Sequence, residues 1–274
     1  MLPEHGPVSE AERPAWWGGQ DRGRQRMTLV DLMAAGTLDA PTAARLWLAL
    51  DARASLVVAA GPRLVGKTTL LTALLDLLPP RYRTLLLRGI HEDFSFLGNT
   101  EPVGTYLLVP ELSDHTPAYL WGDGVLRLFQ ALRSGYSLAA TMHADTPHEV
   151  LGPLSELGVP PEDLRRLDLV VNMAVTQVQG RRLHRLTQVS FVGDERSAEP
   201  LVTWERPTDS FRPTGTLPRR LEERLRGDGI DVADALPRRE EALRRWLREG
   251  VAGPAELRER VLAFYEGTGD TARG

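Results

Sequence analysis

The chain has 274 residues, 42% of them hydrophobic and 26% charged, with a formal net charge of −4. That is an ordinary globular composition, and its acidic balance argues against a standing nucleic-acid-binding surface. The absence of cysteine excludes disulfides and thiolate metal sites, and no apolar run reaches the length that spans a bilayer.

Residues 1–27 are rich in Pro, Gly and charge, with Trp16-Trp17 among them, and read as an extended arm. Met1–Ser9 lacks the apolar stretch of a signal peptide, which fits a cytoplasmic location. Thr28–Leu50 carries helical periodicity broken at Gly36, with Asp39 placed as an N-cap and Pro41 in the first turn. Ser55–Ala60 is a short apolar run, predicted as a buried strand. Gly61–Thr69 (Gly-Pro-Arg-Leu-Val-Gly-Lys-Thr-Thr) follows and runs into an apolar helix over Leu70–Leu78.

Pro79-Pro80 stops that helix. Thr84–Leu87, Tyr106–Val109 and Tyr136–Met142 are predicted as buried strands, with His91-Glu92-Asp93 in a loop between the first two. Leu120–Leu132 reads as a helix capped by Asp123, and Val150–Leu157 and Pro161–Leu167 as short helices. Leu169–Val178 and Arg182–Phe191 read as strands paired about a Gln179-Gly180 turn, with Leu201–Trp204 as one more. From Pro207 the composition changes. Pro213, Gly215 and Pro218 mark a linker to Arg- and Glu-rich helices over Arg219–Arg226, Arg238–Glu249 and Pro254–Glu266. Strands alternating with helices, then helices alone, predict an α/β core over 28–206 with a small helical region over 207–274.

The stretch Gly61–Thr69 matches Gly-x-x-x-x-Gly-Lys-[Ser/Thr], the P-loop, in the strand–loop–helix setting the motif requires. Gly61 and Gly66 allow a tight turn and close backbone approach to a polyphosphate, toward which N–H groups and a helix N-terminus then point. In this reading Lys67 reaches the β- and γ-phosphates, the Thr68 hydroxyl binds Mg²⁺, and Thr69 joins them as a cofactor-binding residue. Hydrolysis further needs a carboxylate at an adjacent strand end, to hold the metal shell or align water. Glu111 is so placed after Tyr106–Val109, and His143 follows the next buried strand, where a neutral imidazole could sense a γ-phosphate.

The order of these motifs resembles the secretion and pilus motor ATPases, the type II and type IV secretion, tight-adherence and archaellum enzymes. Leu107-Leu108-Val109-Pro110-Glu111 resembles the family's atypical Walker B, and Gly135 through Asp145 resembles its His box, which ends Thr-x-His-Ala-Asn. The resemblance implies a RecA-like P-loop NTPase with a central β-sheet flanked by helices. It implies ATP and Mg²⁺ as ligands, with Thr68 and Glu111 on the metal, and catalytic roles for Glu111, Glu92 and His143. It further implies a homo-oligomer, a hexamer in the family, acting on a platform protein at the cytoplasmic face of a membrane.

The departures bear on mechanism. Where the family has an acidic box Glu-Asp-x-x-Glu, this chain has Arg88-Gly89-Ile90-His91-Glu92, so that Glu92 alone matches, with Asp93 beside it. The span to Tyr106 is too short for the family's arginine-bearing segment, which leaves Arg63, Arg88, Arg127 or Arg133 as candidates for that work. Pro110 replaces a Gly, and a short arm stands in place of the family's large N-terminal domain. A nucleotide-binding subunit without turnover is therefore the alternative, followed by a nucleic-acid-translocating ATPase using the Arg238–Arg248 cluster. Spacing predicts that cluster to pair internally, Glu240 with Arg244 and Glu241 with Arg245.

Overall fold

The computed structural model describes residues 26–116, 119–178, 181–194 and 197–268. The Trp16-Trp17 pair and the Gln179-Gly180 turn lie outside the described residues. Helices α1 (Leu29–Ala34) and α2 (Ala40–Asp51) precede strand β1 (Leu56–Ala59) and helix α3 (Lys67–Leu75). Strands β2 (Arg83–Leu86) and β3 (Thr105–Val109) follow, with two short 3-10 turns between them. Helix α4 (Asp123–Arg133), strand β4 (Ser137–Met142) and helices α5 (Pro147–Glu156) and α6 (Pro161–Leu164) come next. A run of strands, β5 (Leu169–Val178), β6 (Arg181–Val192), β7 (Ala198–Glu205) and β8 (Ser210–Pro213), leads to helices α7 (Arg219–Gly227), α8 (Val232–Glu249) and α9 (Pro254–Thr268). Among the described residues no helix is long and apolar enough to cross a membrane.

The strands form one sheet in the order β2-β3-β4-β1-β5-β6-β7-β8. The first five are parallel to one another, and β5 onward is an antiparallel meander. The parallel strands β1, β3 and β4 are buried along their whole length, as runs without polar alternation require. Period-two geometry then sorts their side chains onto two faces. Leu56, Val58, Tyr106, Leu108 and Leu169 join the cluster formed with α1, α2, α3, α7, α8 and α9. Val57, Ala59, Leu107, Val109 and Leu138 join the cluster under α4, α5 and α6. The architecture is thus a mixed α/β sheet flanked by helices.

Local chemistry sets the element ends. Thr28 and Asp31 form a reciprocal capping box on α1. The Asp39 carboxylate accepts from the Thr42 amide on α2, as the sequence predicts. Asp123 is not the cap of α4. Gly122 occupies that position at φ 59°, and Asp123 is the first helical residue. The composition change at Pro207 falls inside the β7–β8 hairpin, where Glu205 pairs with Ser210. The segment read as linker therefore holds an edge strand, and Pro213 is tolerated there because an edge residue needs no ladder donor on its outer side. Helix α8 starts at Val232, with Asp231 as its cap, and carries Pro237 inside it.

The C-terminal helices share the core of the sheet rather than building one of their own. Trp47 of α2 packs against Trp246 of α8 and Phe264 of α9, at ring-centroid distances of 5.5 and 4.6 Å. Its indole N–H donates to the Tyr265 hydroxyl at 2.8 Å, and that hydroxyl donates in turn to the Asp51 carboxylate. The Arg239 guanidinium donates to Asp51 Oδ2 at 2.7 Å, and neither side chain has exposed surface. Burial pushes the Asp51 carboxyl up, while Arg239 and Tyr265 pull it back down. Arg238 donates to the Asp234 carbonyl, and three further α8 arginines pair with glutamates, Arg244 with Glu240, Arg245 with Glu249 and Arg248 with Glu241. Glu241 thus pairs with Arg248 instead of the expected Arg245.

Removing one partner of a fully buried pair strands the other charge. Arg239→Ala should therefore lower stability by about 3–5 kcal/mol, read from the urea midpoint. Arg239→Met, which keeps the volume while Asp51 takes up a proton, should lose clearly less. Equal losses would mean that the lost charge partner, and not the volume of the side chain, decides the cost.

Candidate functional site

The site lies where β1, β3 and β4 end side by side. In a parallel sheet the carboxyl ends of neighbouring strands open on the same crevice, so residues distant in sequence meet there. β1 delivers the loop 60–66, β3 delivers Glu111 through Pro110, and β4 delivers His143.

The loop's two motif glycines have different physical reasons. Gly66 sits at φ +103°, a region a side chain resists, and caps α3 with no side-chain hydrogen bond, so the first amides of that helix have no side-chain partner. Gly61 needs space instead. A Cβ there would overlap the Asp145 carboxylate, whose Oδ1 accepts from the Gly61 amide at 2.8 Å. Leu64, at the loop's tip, takes φ +61° and is 86% exposed. A left-handed leucine costs about 1–2 kcal/mol, and its exposed side chain recovers none of it.

Lys67 opens α3 and is only 7% exposed. Burial lowers its pKa, Glu111 raises it, and nearby Arg63 lowers it further. The ammonium lies 3.1 and 3.2 Å from the two ring nitrogens of His143. His143 Nδ1 is also 2.8 Å from the Gly61 carbonyl. A carbonyl only accepts, so Nδ1 carries the proton and Nε2 offers its lone pair to Lys67. Glu111 is 7% exposed, and the Thr141 hydroxyl stands 3.0 Å from its Oε2. Its Oε1 is buried without a hydrogen-bond partner, 3.9 Å from Lys67 Nζ and 3.6 Å from His143 Nε2. A buried carboxylate oxygen left unpaired is costly and points to a polar group the site is built to receive.

Of the residues singled out in the sequence, the structure therefore brings Gly61, Gly66, Lys67, Glu111 and His143 together. Thr68 lies at the same helix start, half-buried. Among the described residues its hydroxyl has no hydrogen-bond partner, while its carbonyl accepts from Thr72 at 2.9 Å. Thr69 is half-buried one residue further on, and its carbonyl also accepts from Thr72. Glu92 is not brought in. Both its oxygens cap its own turn, accepting from the Arg88 and Phe94 amides at 3.0 and 2.9 Å. Asp93 accepts from the Ser95 amide and pairs with Arg88. Arg133 is committed to Asp163, and Arg127 donates to the Asp93 carbonyl and lies over the Phe94 ring. Arg63 is exposed beside the loop.

Sequence reasoning passed over three contributors. Asp145 was visible only as the end of the His-box match, yet it pins Gly61, and its own carbonyl is held by Asn172 at 3.0 Å. His115 packs edge-on against His143, 6.1 Å between centroids, and nothing in its loop marks it out. His184 reaches the loop from β6, placing Nδ1 2.7 Å from the Val65 carbonyl, and carries no local signal.

No protein-family model matches the chain. It is 26% identical over 242 residues to the uncharacterized protein MJ1287 of Methanocaldococcus jannaschii, covering 78% of this chain and 89% of that one. Among solved structures, the Legionella pneumophila ATPase DotB overlaps 72% of this chain at 13% identity and a TM-score of 0.34. The Yersinia pseudotuberculosis ATPase DotB overlaps 78% at 12% identity and a TM-score of 0.37. The chain spans 53% and 60% of the length of those two proteins, so both likenesses are partial.

Leu64→Gly should relieve the loop's strain, offset in part by the glycine's larger unfolded-state entropy. The expected outcome is a urea midpoint raised by the equivalent of about 0.5–1 kcal/mol at unchanged slope. A lowered midpoint would show that the leucine side chain is held by contacts that offset its backbone.

Proposed function

We propose that the chain is a P-loop NTPase that binds ATP with Mg²⁺ and hydrolyses it to ADP and phosphate, as the motor subunit of a pilus, secretion or related membrane-associated machine. One observation carries the reading. A buried lysine at the start of α3, a buried carboxylate with an unpaired oxygen and an imidazole of fixed tautomer meet beneath a glycine-bearing loop.

Each group has a task in that chemistry. The Gly66 amide and the amides that open α3 receive phosphate oxygens. Lys67 turns from His143 and Glu111 to the β- and γ-phosphates, where its charge offsets theirs. Glu111 Oε1, released from Lys67, accepts a hydrogen bond from the attacking water and orients it. His143 holds the Gly61 carbonyl through Nδ1–H, and its Nε2 contacts a γ-phosphate oxygen as a donor once that nitrogen takes up a proton. A hydroxyl and a carboxylate oxygen are the hard donors that Mg²⁺ takes, which suits Thr68 and Glu111 as its holders. The metal, when bound, supplies neutralisation of phosphate charge.

The finer parts of the proposal rest on the motif resemblance. They are assembly as a homo-oligomer, a hexamer by that resemblance, docked on a membrane platform protein from the cytoplasm. The arginine that stabilises the transition state would come from exposed Arg63 or from a neighbouring copy, since Arg127 and Arg133 are engaged elsewhere. A second reading, nucleotide binding without turnover, is favoured by Glu92, whose carboxylate is used up within its own turn. Nucleic-acid translocation draws no support from α8, where Arg239 is buried against Asp51 and the outer arginines pair with glutamates.

Steady-state ATP hydrolysis, with native mass measured with and without ATP, tests the proposal. Lys67→Ala should abolish nucleotide binding. Glu111→Gln should keep binding within about threefold and lower kcat by at least about a hundredfold. His143→Ala should cut turnover with little change in Tm. Tight ATP binding by the wild type without turnover supports the second reading, and turnover retained by Glu111→Gln removes that residue from catalysis.

A further inference from the structure

Resting on the nucleotide reading, we propose that His184 is a positioning residue for the phosphate cradle. Its Nδ1–H holds the Val65 carbonyl and thereby aims the Gly66 amide at the bound polyphosphate.

The argument begins with peptide geometry. In a trans peptide the C=O and N–H vectors are nearly antiparallel, so fixing one fixes the other. The Val65 carbonyl points at His184 Nδ1, 2.7 Å away. The Gly66 amide, in the same peptide plane, therefore points the opposite way, away from His184. That amide precedes those that open α3, and together they make a row of donors for an anion.

This peptide needs an external hold. Gly66 sits at φ +103° and has no Cβ, so rotating the Val65–Gly66 peptide meets little steric resistance from the loop itself. Rotation would turn the carbonyl into the cradle and set a negative dipole against phosphate. His184 resists this in two ways. It donates to the carbonyl, and it stands close under Gly66, where a Cβ would lie 3.8 Å from Nδ1 and 3.7 Å from Met173 Cε. Its backbone is held in the sheet, being on β6 in register with Val175 of β5. The loop is thus fixed at both ends by imidazoles that donate to carbonyls, His143 to Gly61 and His184 to Val65. The hydrolytic scheme above uses the first and makes no use of the second.

Asparagine places its Nδ2 where histidine has Nδ1, whereas leucine keeps the shape and removes the donor. The test is a titration of wild type, His184→Asn, His184→Leu and Lys67→Ala with MgATP and, separately, with inorganic pyrophosphate. The expected result is a Kd weakened about tenfold by His184→Leu for both ligands, the loss of one well-placed hydrogen bond, with His184→Asn within about threefold of wild type. Tm should not separate the Asn and Leu variants. If the Leu variant does not fold, His184→Ala takes its place in the same comparison. Wild-type affinity in the donor-less variant, with Lys67→Ala still inactive in binding, overturns the role of His184 alone. Equal losses in the Asn and Leu variants overturn it too, since they mark a structural role. A wild type that binds neither ligand overturns the nucleotide reading and this proposal with it.

Discussion

A charge with no access to water is the constraint from which much of this structure follows. Asp51 ends α2 inside the protein, and a bare carboxylate there would be unstable by several kcal/mol. Arg239 from α8 and Tyr265 from α9 answer it, and the Tyr82 hydroxyl donates to the Asp51 carbonyl at 2.7 Å. One residue thus collects two C-terminal helices and the approach to β2. Trp47, one turn earlier on α2, surrounds that polar knot with aromatic rings, including a 5.5 Å approach of the Arg239 guanidinium. Because α2 also packs on the face of the sheet that holds Leu56 and Val58 of β1, the same knot backs the strand that delivers the loop.

The crevice is organised by a different logic, in which most of the bonds converge on backbone carbonyls and amides of the loop. Gly61 is bonded through both its amide and its carbonyl, to Asp145 and His143. Val65 is bonded through its carbonyl to His184. The side chains that would meet a ligand, Lys67 and Glu111, are by contrast under-bonded and partly desolvated. That division is what preorganisation requires. The frame is satisfied in advance, and the unmet hydrogen-bonding capacity is kept where the proposed ligand would sit.

Much of this was legible in the sequence because it is local. The apolar strand runs, the cap at Asp39 and the Gly61–Thr69 motif each depend on residues within a few positions of one another. Glu111 and His143 were legible through topology, since each follows a buried strand and parallel strand ends converge. What escaped was either long-range or competed for locally. His184 acts across 119 residues, with only an ordinary β pattern around it. Glu92 fits a motif position, but a short turn captures both of its oxygens, and only the backbone shows that. The β8 edge strand hid behind Pro213 and Gly215, residues that read as linker unless the partner strand is known. The start of α8 hid behind Pro237, which marks a boundary in isolation but sits within a helix held by the Arg239 pair.

The two outer strands of the sheet bear on how copies of this chain could meet. β2 has four residues and opens on Arg83, and β8 has four residues, of which Arg212 and Pro213 close the far border. Short borders bearing charge and proline are poor templates for strand addition from another molecule. Copies of the chain, were they to assemble as proposed, would then be joined by side chains of the helical faces and strand-end loops instead of by a continuous backbone ladder. Such joints slide and re-form at low energetic penalty, whereas a shared sheet would lock neighbours into one fixed orientation.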